Sequence, residues 1–161
     1  MTAKSPDAAP AERVALFAGT FDPFTAGHAS VVERALPLFD RIVIGVGVNA
    51  AKPGSEPAAS RVEAIRALYA SLPAGRVEVV EYTDCLTVEL AAKVGARWLL
   101  RGVRSVRDFE YERDIADLNR KLSGLETILL YTLPELAAVS SSAVRELRSY
   151  GVDITPFMPK L

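Results

Sequence analysis

The chain has little of several residue types, and each shortage excludes a class of protein. Its 161 residues include one cysteine, Cys85, and one histidine, His28. The single cysteine cannot form an intrachain disulfide, which suits a reducing cytoplasm. No run approaches the roughly 18 apolar residues of a membrane span, and the start lacks a signal-peptide core. We therefore expect a cytoplasmic protein without a membrane partner.

An excess of charge of one sign is also missing. The formal net charge is -1 and the pI is near 5.9, so no global field attracts nucleic acid or an anionic membrane. We expect no nucleic-acid partner, and any anion site must be local. A mass of 17.3 kDa fits one domain. Residues 1–12, rich in Ala, Pro and polar groups, are predicted to be a flexible tail before a domain of residues 13–161.

Apolar runs rich in β-branched residues alternate with helical periodicity. Strands are predicted at 14–18, 42–48, 77–81, 97–100 and 126–131. Helices are predicted through 32–39, disturbed near Pro37, and over 60–72, opened by a capping box from Ser60 to Glu63. Others follow at 86–94, stopped by Gly95, behind Ser105 with an apolar stripe at Tyr111, Ile115, Leu118 and Leu122, and at 142–150. The pattern predicts a single-domain α/β fold, a Rossmann-like five-stranded parallel sheet with helices on both faces.

The segment from Gly19 to His28 joins the first strand to the first helix. Its sequence, Gly-Thr-Phe-Asp-Pro-Phe-Thr-Ala-Gly-His, combines turn residues, hydroxyls and the only histidine. Main-chain N–H groups at a helix N-terminus bind anions readily. A histidine there could also be a plain capping or surface residue, but glycine, threonine and histidine together favour a functional site.

A second candidate segment follows the fourth strand, from Arg101 to Glu112. Arg101 and Arg104 flank Gly102 at a strand end, and arginine forks bind phosphate oxygens with two hydrogen bonds. Glu112 could meet a ribose, an adenine edge or Arg104, or could serve only as a helical charge partner for the Asp108 region. These residues predict a phosphate-binding crevice at the carboxyl ends of the strands.

Three further polar elements follow strand ends. Val139-Ser-Ser-Ser142 precedes a helix, where hydroxyls suit phosphate or ribose binding, although one serine could act only as an N-cap. Lys52 follows the second strand, where a lysine is most often solvent-facing but could reach a phosphate. Leu86 and Thr87 follow the third strand.

Gly-Thr-Phe-Asp-Pro with Thr-x-Gly-His resembles the signature of the nucleotidyltransferase superfamily. The run Arg-Gly-x-Arg-x-x-x-Asp-Phe-Glu-Tyr-Glu, with the serine segment, closely resembles the phosphopantetheine adenylyltransferase family. The resemblance implies transfer of AMP from ATP to the phosphate of 4′-phosphopantetheine, with pyrophosphate as the leaving group. Rival interpretations are another nucleotidyltransferase, such as one acting on nicotinamide mononucleotide, and a non-catalytic nucleotide-binding module.

The resemblance also assigns roles to residues. It makes His28, Lys52 and Thr20 catalytic, with His28 stabilising the transition state and the other two holding the attacking phosphate. It places Thr20, Lys52, Thr87 (or its neighbour Leu86) and Arg101 against the acceptor. ATP would be bound by Thr20, Phe21, His28, Gly102, Val103, Arg104, Glu112, Leu136, Ala137, Ala138, Val139, Ser140, Ser141 and Ser142.

The remaining expectations concern ions and partners. Mg²⁺ would be held mainly through the ATP phosphates, since no cluster of carboxylates suggests a dedicated protein metal site. The resemblance further implies a homohexamer and coenzyme A as a possible feedback ligand.

Overall fold

A five-stranded parallel sheet forms the centre of the molecule. The computed structural model describes residues 11–48 and 55–160. The strands are β1 (Val14–Gly19), β2 (Arg41–Gly47), β3 (Val77–Tyr82), β4 (Trp98–Val103) and β5 (Glu126–Tyr131). They lie in the order β3-β2-β1-β4-β5, and every pair is parallel. The predicted number and direction of strands are confirmed.

The connections between the strands are mostly helical. The helices are α1 (Ala26–Ala35), α2 (Ala58–Leu68), α3 (Thr87–Val94), α4 (Val106–Ser123) and α5 (Ser141–Ser149). Short 3₁₀ turns occupy Pro134–Leu136 and Thr155–Phe157. No helix within residues 11–48 and 55–160 is long and apolar enough to cross a bilayer. Residues 1–10 of the predicted tail lie outside the described part of the chain.

The sheet is covered on both faces, as predicted. One apolar cluster joins strand residues such as Phe17 and Ile44 to α1 and α2 through Val32 and Ile65. The other joins Leu16, Val43 and Leu99 to α3 through Leu90 and Ala91. Because successive strand side chains point to opposite faces, the nearly unbroken apolar run of β1 serves both clusters.

Most predicted helix ends agree with the structure. The helix before Pro37 ends at Ala35, and Gly95 closes α3 with a φ of 72°. At this φ glycine avoids the steric cost of a Cβ. The capping box predicted at Ser60 is wrong: α2 begins earlier, with Pro57 as its N-cap, and Ser60 lies inside the helix. Ser60 and Glu63 have the spacing of a capping box, but both lie inside the helix.

Helix α4 is confirmed, whereas most of its apolar stripe is not covered by the sheet. Tyr111, Leu118 and Leu122 are 62%, 52% and 59% exposed. Strand β4 also continues past its predicted end at Leu100 to Val103, because Arg101, Gly102 and Val103 pair with β5. Arg101 therefore belongs to the strand and is held by its ladder.

Candidate active site

A cavity of about 390 Å³ opens at the carboxyl ends of β1 and β4. The strand order changes direction at β1, which has β2 on one side and β4 on the other. Parallel α/β sheets bind ligands at such a switch point. The wall combines residues of β1, the segment leading to α1, α1, β4, α4 and the start of α5: Phe17, Ala18, Gly19, Thr20, Phe21, Thr25, Gly27, His28, Val31, Arg101, Gly102, Arg104, Asp108, Tyr111, Glu112, Thr132, Val139, Ser140 and Ser141.

His28 is fixed in this wall by the start of its own helix. Thr25 is the N-cap of α1, and its main-chain N–H donates to His28 Nδ1 at 2.9 Å. Thr25 Oγ1 lies 3.0 Å from the same nitrogen. An imidazole nitrogen that accepts an N–H carries no proton, so the neutral ring has its proton on Nε2. Nε2 makes no hydrogen bond to any residue that the structure describes, which leaves it able to donate to a ligand.

The electrostatic surroundings keep this histidine neutral. Burial, together with the nearby positive charges of Arg101 and Arg104, lowers the pKa of His28 from 6.5 to about 4. The buried neutral ring is more stable than a third positive charge beside two guanidinium groups. At pH 7 the residue is therefore an uncharged hydrogen-bond donor.

Three aromatic rings surround the imidazole. Its centroid lies 5.1 Å from Phe21, 5.4 Å from Phe24 and 6.2 Å from Phe17. Phe21 has a φ of 48°, a backbone conformation that bulky residues rarely adopt. Its ring is 4% exposed and packs between the other two phenylalanines. This burial holds the segment after β1 in one shape around the histidine.

Arg101 is held at three points of its guanidinium. Nε and Nη2 donate to the two carboxylate oxygens of Glu112 at 2.8 and 2.7 Å, and Nη1 donates to the Ala18 carbonyl at 2.6 Å. Burial alone would lower the pKa of Arg101, but the hydrogen bonds and charge of Glu112 raise it. The side chain therefore remains charged, and its fork has a fixed orientation at the cavity.

The partner of Glu112 differs from every structural alternative that the sequence offered. Neither Arg104 nor the Asp108 region binds it, because the helical register of α4 turns Glu112 toward β4 and Arg101. Arg104 instead binds Asp108, with Nε 2.8 Å from Oδ2. Between the two arginines, Gly102 lies against α1, and a Cβ there would come within 2.9 Å of Val31 Cγ2. A side chain at that position would force the Val31 side chain in the cavity wall to shift.

The serine segment approaches the cavity with its hydroxyls already engaged. Ser140 is the N-cap of α5 and accepts from the Ala143 N–H at 3.1 Å. Ser141 Oγ donates to the Pro23 carbonyl at 2.9 Å, and Ser142 Oγ accepts from Arg145 at 3.1 Å. Arg145 also donates to the Asp22 carbonyl. The start of α5 is thus attached to the segment that carries His28.

A second cavity of about 270 Å³ lies beside the first, under α4. The two cavities share Ala18, Arg101, Tyr111 and Glu112. The second is further lined by Leu16, Thr87, Leu99, Ile115, Ala116, Asn119 and Thr127. Thr127 Oγ1 is buried and has no hydrogen-bond partner within the described residues. The site therefore has two adjoining compartments.

The structure brings together most of the residues predicted from the sequence. Thr20, Phe21, His28, Arg101, Gly102, Arg104, Glu112, Val139, Ser140 and Ser141 line the first cavity, and Thr87 lines the second. Val103, Leu136, Ala137, Ala138 and Ser142 line neither, although Ser142 binds Arg145 beside the wall. Lys52 lies outside the described residues.

Other residues of the site have no clear signal in the sequence. Phe17 and Val31 have the apolar character of ordinary core residues, and Tyr111 fits a helical apolar stripe, yet all three line the cavity. Arg145 fits the polar face of an amphipathic helix. Among the described residues, no group of three or more His, Cys, Asp or Glu side chains could hold a metal ion.

Comparisons with known proteins agree with this geometry. The family model described as cytidylyltransferase-like matches residues 16–147. A protein of Bacteroides thetaiotaomicron named phosphopantetheine adenylyltransferase is 55% identical over 92% of this chain and 96% of its own. One of the same name from Porphyromonas gingivalis is 52% identical over 92% of this chain and 95% of its own.

A solved structure agrees on the fold. A Vibrio parahaemolyticus protein described as a nicotinate-nucleotide adenylyltransferase has a TM-score of 0.66 to this chain at 16% identity. The match covers 92% of this chain and 88% of that one. It supports the doubly covered parallel sheet.

Proposed function

The chain belongs to the cytidylyltransferase-like family and, within it, to the phosphopantetheine adenylyltransferases, and we propose that it transfers AMP from ATP to the phosphate of 4′-phosphopantetheine. The products are dephospho-coenzyme A and pyrophosphate, and the reaction is the penultimate step of coenzyme A biosynthesis. The observation that carries the proposal is the pair of adjoining cavities that meet at Arg101 and Glu112. Two substrates that react with each other need two compartments with a common wall.

The reaction is a direct in-line displacement. An oxygen of the acceptor phosphate attacks the α-phosphorus of ATP, the new P–O bond forms, and the bond to pyrophosphate breaks. The attacking group is already an anion at pH 7, so no general base is required. The main needs are alignment of two mutually repelling anions and stabilisation of the negative charge in the transition state.

Neutral His28 meets the second need. Its proton on Nε2 can be donated to an oxygen on the α-phosphorus, while Nδ1 is anchored by Thr25. The ring does not have to lose or gain a proton, and its low pKa keeps it in the donor form. His28 therefore acts as a transition-state donor and not as a general base.

The two substrates are assigned to different walls. Gly102, Arg104 and the start of α5 from Val139 to Ser141 would hold the nucleotide in the larger cavity. Arg101 and Thr87 would contact the acceptor, whose pantetheine arm would extend into the smaller cavity. Thr20, with Lys52 from outside the described residues, would hold the attacking phosphate in line.

Magnesium is proposed to be carried by the nucleotide. Within the described residues, the carboxylates of the larger cavity, Asp108 and Glu112, are engaged by Arg104 and Arg101. The ion would therefore be bound mainly by phosphate oxygens and water, the ligands that Mg²⁺ usually keeps. When bound, it neutralises part of the phosphate charge.

The exposed apolar side chains of α4, Tyr111, Leu118 and Leu122, support self-association, and we propose a homohexamer. Light scattering on the purified protein tests this: a six-fold mass is expected, and a monomer at micromolar concentration would overturn it.

Coenzyme A carries both a pantetheine arm and an adenine nucleotide, so it is proposed to compete with the substrates as a feedback ligand. The proposed compartment is the cytoplasm, where ATP is available.

Pyrophosphate release with ATP and a panel of acceptors tests the proposed function. The panel contains 4′-phosphopantetheine, nicotinamide mononucleotide, glycerol 3-phosphate and no acceptor. Turnover with 4′-phosphopantetheine alone is expected, and mass spectrometry should find dephospho-coenzyme A in equal amount to pyrophosphate. Turnover with nicotinamide mononucleotide only would contradict the acceptor assignment, and no turnover with any acceptor would contradict the enzyme assignment.

A further inference from the structure

Arg61 is a buried charged side chain that the proposed mechanism does not use. It lies on α2 and is 5% exposed. Its guanidinium donates to three main-chain carbonyls: Nε to Glu56 at 3.0 Å, Nη1 to Gly47 at 3.2 Å, and Nη1 also to Thr20. Within the described residues, no carboxylate lies within the 4.0 Å of an ion pair. Its bonding partners are therefore the backbone dipoles of three segments.

One of the three carbonyls belongs to the active-site wall, and the other two belong to neighbouring segments. Thr20 directly follows β1 and lines the larger cavity, Gly47 is the last residue of β2, and Glu56 lies just before Pro57, the N-cap of α2. Strands β1 and β2 are neighbours, with Gly19 opposite Val46 at the end of their ladder. Beyond that point no hydrogen bonds of the ladder fix the distance between the segments that follow β1 and β2. The guanidinium provides the next cross-link.

Arg61 is placed behind the reacting space and not inside it. It does not line either compartment of the active site. It borders a separate cavity of about 360 Å³ on the far side of Phe21 and Phe24. Any effect on the reaction must therefore pass through the residues that it binds.

We propose that Arg61 is a positioning residue, which cross-links the ends of β1 and β2 and thereby holds Thr20 at the attacking phosphate. The inference depends on the proposed adenylyl transfer, since Thr20 matters only if an acceptor phosphate attacks beside it. A planar guanidinium can reach several carbonyls at fixed angles, whereas a lysine ammonium is a single flexible point of charge. Misplacing a reacting group by about 1 Å can cost about 10²-fold in rate.

Arg76 offers a matched control at the opposite end of the sheet. Its guanidinium also binds three main-chain carbonyls, those of Leu36, Phe39 and Asp40, at 2.8, 2.9 and 2.6 Å. It lies just before β3, at the amino ends of the strands and away from both cavities. Loss of Arg76 removes the same kind of cross-link without touching the active-site edge.

The experiment measures kcat, the KM of each substrate and Tm for wild type, Arg61→Met, Arg61→Lys and Arg76→Met. For Arg61→Met, kcat should fall about 10- to 100-fold, while the KM of ATP changes less than threefold because other elements bind the nucleotide. Arg61→Lys keeps the charge, yet its kcat should fall nearly as far as that of Arg61→Met. Arg76→Met should lower Tm and leave kcat within twofold of wild type.

A rescue measurement separates positioning from folding. Arg61→Ala is assayed with millimolar methylguanidine, which can enter through the adjoining 360 Å³ cavity. A rise in kcat of at least fivefold, absent in wild type and in His28→Ala, supports the proposal. Unchanged kcat in Arg61→Met, or equal loss of kcat in Arg76→Met, would overturn it. If wild type itself makes no dephospho-coenzyme A, the proposed function fails. If wild type is active but Arg61→Met keeps its full kcat, only the role of Arg61 is contradicted.

Discussion

The two ends of the sheet use arginines for opposite purposes. At the amino ends, Arg13 binds Asp40 in a pair whose side chains are both about half exposed, and Arg41 reaches Glu12 and Glu78. At the carboxyl ends, Arg61 binds main-chain carbonyls such as that of Thr20. Arg101 binds the Ala18 carbonyl and Glu112 at the cavity. The bonds are chemically alike, but the first set lies at the protein surface, whereas the second holds the residues that form the cavity wall in place.

This contrast makes different predictions for the two ends. Changes at the carboxyl ends should affect turnover more than stability, because the bonds there orient groups toward substrates. Changes at the amino ends should affect stability alone, by small amounts, because exposed ion pairs contribute little.

His28→Ala should lower kcat by about 10²- to 10³-fold, the typical loss for one donor to a developing oxyanion. The KM of ATP should change far less. His28→Asn is the matched variant: its side-chain oxygen can accept from the Thr25 N–H as Nδ1 does, but it has no donor in place of Nε2. Tm should remain near wild type and kcat should fall as in the alanine variant. Normal kcat in either variant would show that His28 only caps the start of α1 and does not contribute to the reaction.

The titration of His28 should differ sharply from that of an exposed imidazole. NMR of tag-free protein observes this single histidine directly, and a midpoint near pH 4 is expected in place of 6.5. The folded state favours the neutral ring, so this contribution to stability is complete above pH 6.5 and is lost as pH falls toward 4. A shift of that size corresponds to about 3 kcal/mol of unfolding free energy.

The stability of His28→Asn should therefore fall less steeply between pH 6.5 and 4 than that of wild type, measured by urea unfolding at each pH. Both proteins have the same carboxylates, so the contribution of these groups to the pH dependence of the unfolding free energy cancels in the difference. A wild-type midpoint at 6.5, or parallel stability curves for the two proteins, would contradict the buried neutral histidine.

Arg13→Ala should have the smallest effect. The guanidinium holds the pKa of Asp40 down, to about 2, but both groups are accessible to water. We expect kcat equal to wild type and a slight loss of Tm that shrinks further at high salt, since ions screen exposed pairs. A tenfold fall in kcat would show that the two ends of the sheet are not independent.

The sequence predicted the strands and the segment around His28 because local patterns determine both. Buried parallel strands are uniformly apolar, and the Gly, Pro, Thr and His residues after β1 are close together in the chain. Because the alternation of strands and helices predicts parallel strands, Arg101 and His28, which lie at or just after strand ends, are expected at one edge of the sheet. Both residues line the larger cavity, as expected.

The contacts of the arginines could not be predicted in the same way. Arg61 and Arg145 bind main-chain carbonyls from distant segments, and a carbonyl is present at every residue, so the sequence marks no partner. Arg104 and the Asp108 region are wrong as structural partners of Glu112, because its pairing with Arg101 depends on the turn of α4 over β4. The exposure of the apolar side chains on α4 could not be predicted for a related reason: periodicity shows which residues share a face, but not whether that face meets the sheet.

One consequence follows from the position of Arg101 between the two cavities. A single guanidinium that borders both compartments experiences the charge of whichever ligand arrives first, so the binding free energies of the two ligands are coupled. Thermodynamic linkage requires that coupling to be reciprocal: the factor by which nucleotide changes acceptor affinity equals the factor by which acceptor changes nucleotide affinity. The clamp by Glu112 and Ala18 leaves the guanidinium little freedom to move aside. Two calorimetric titrations, run in opposite orders with a non-reactive nucleotide, would measure the same quantity.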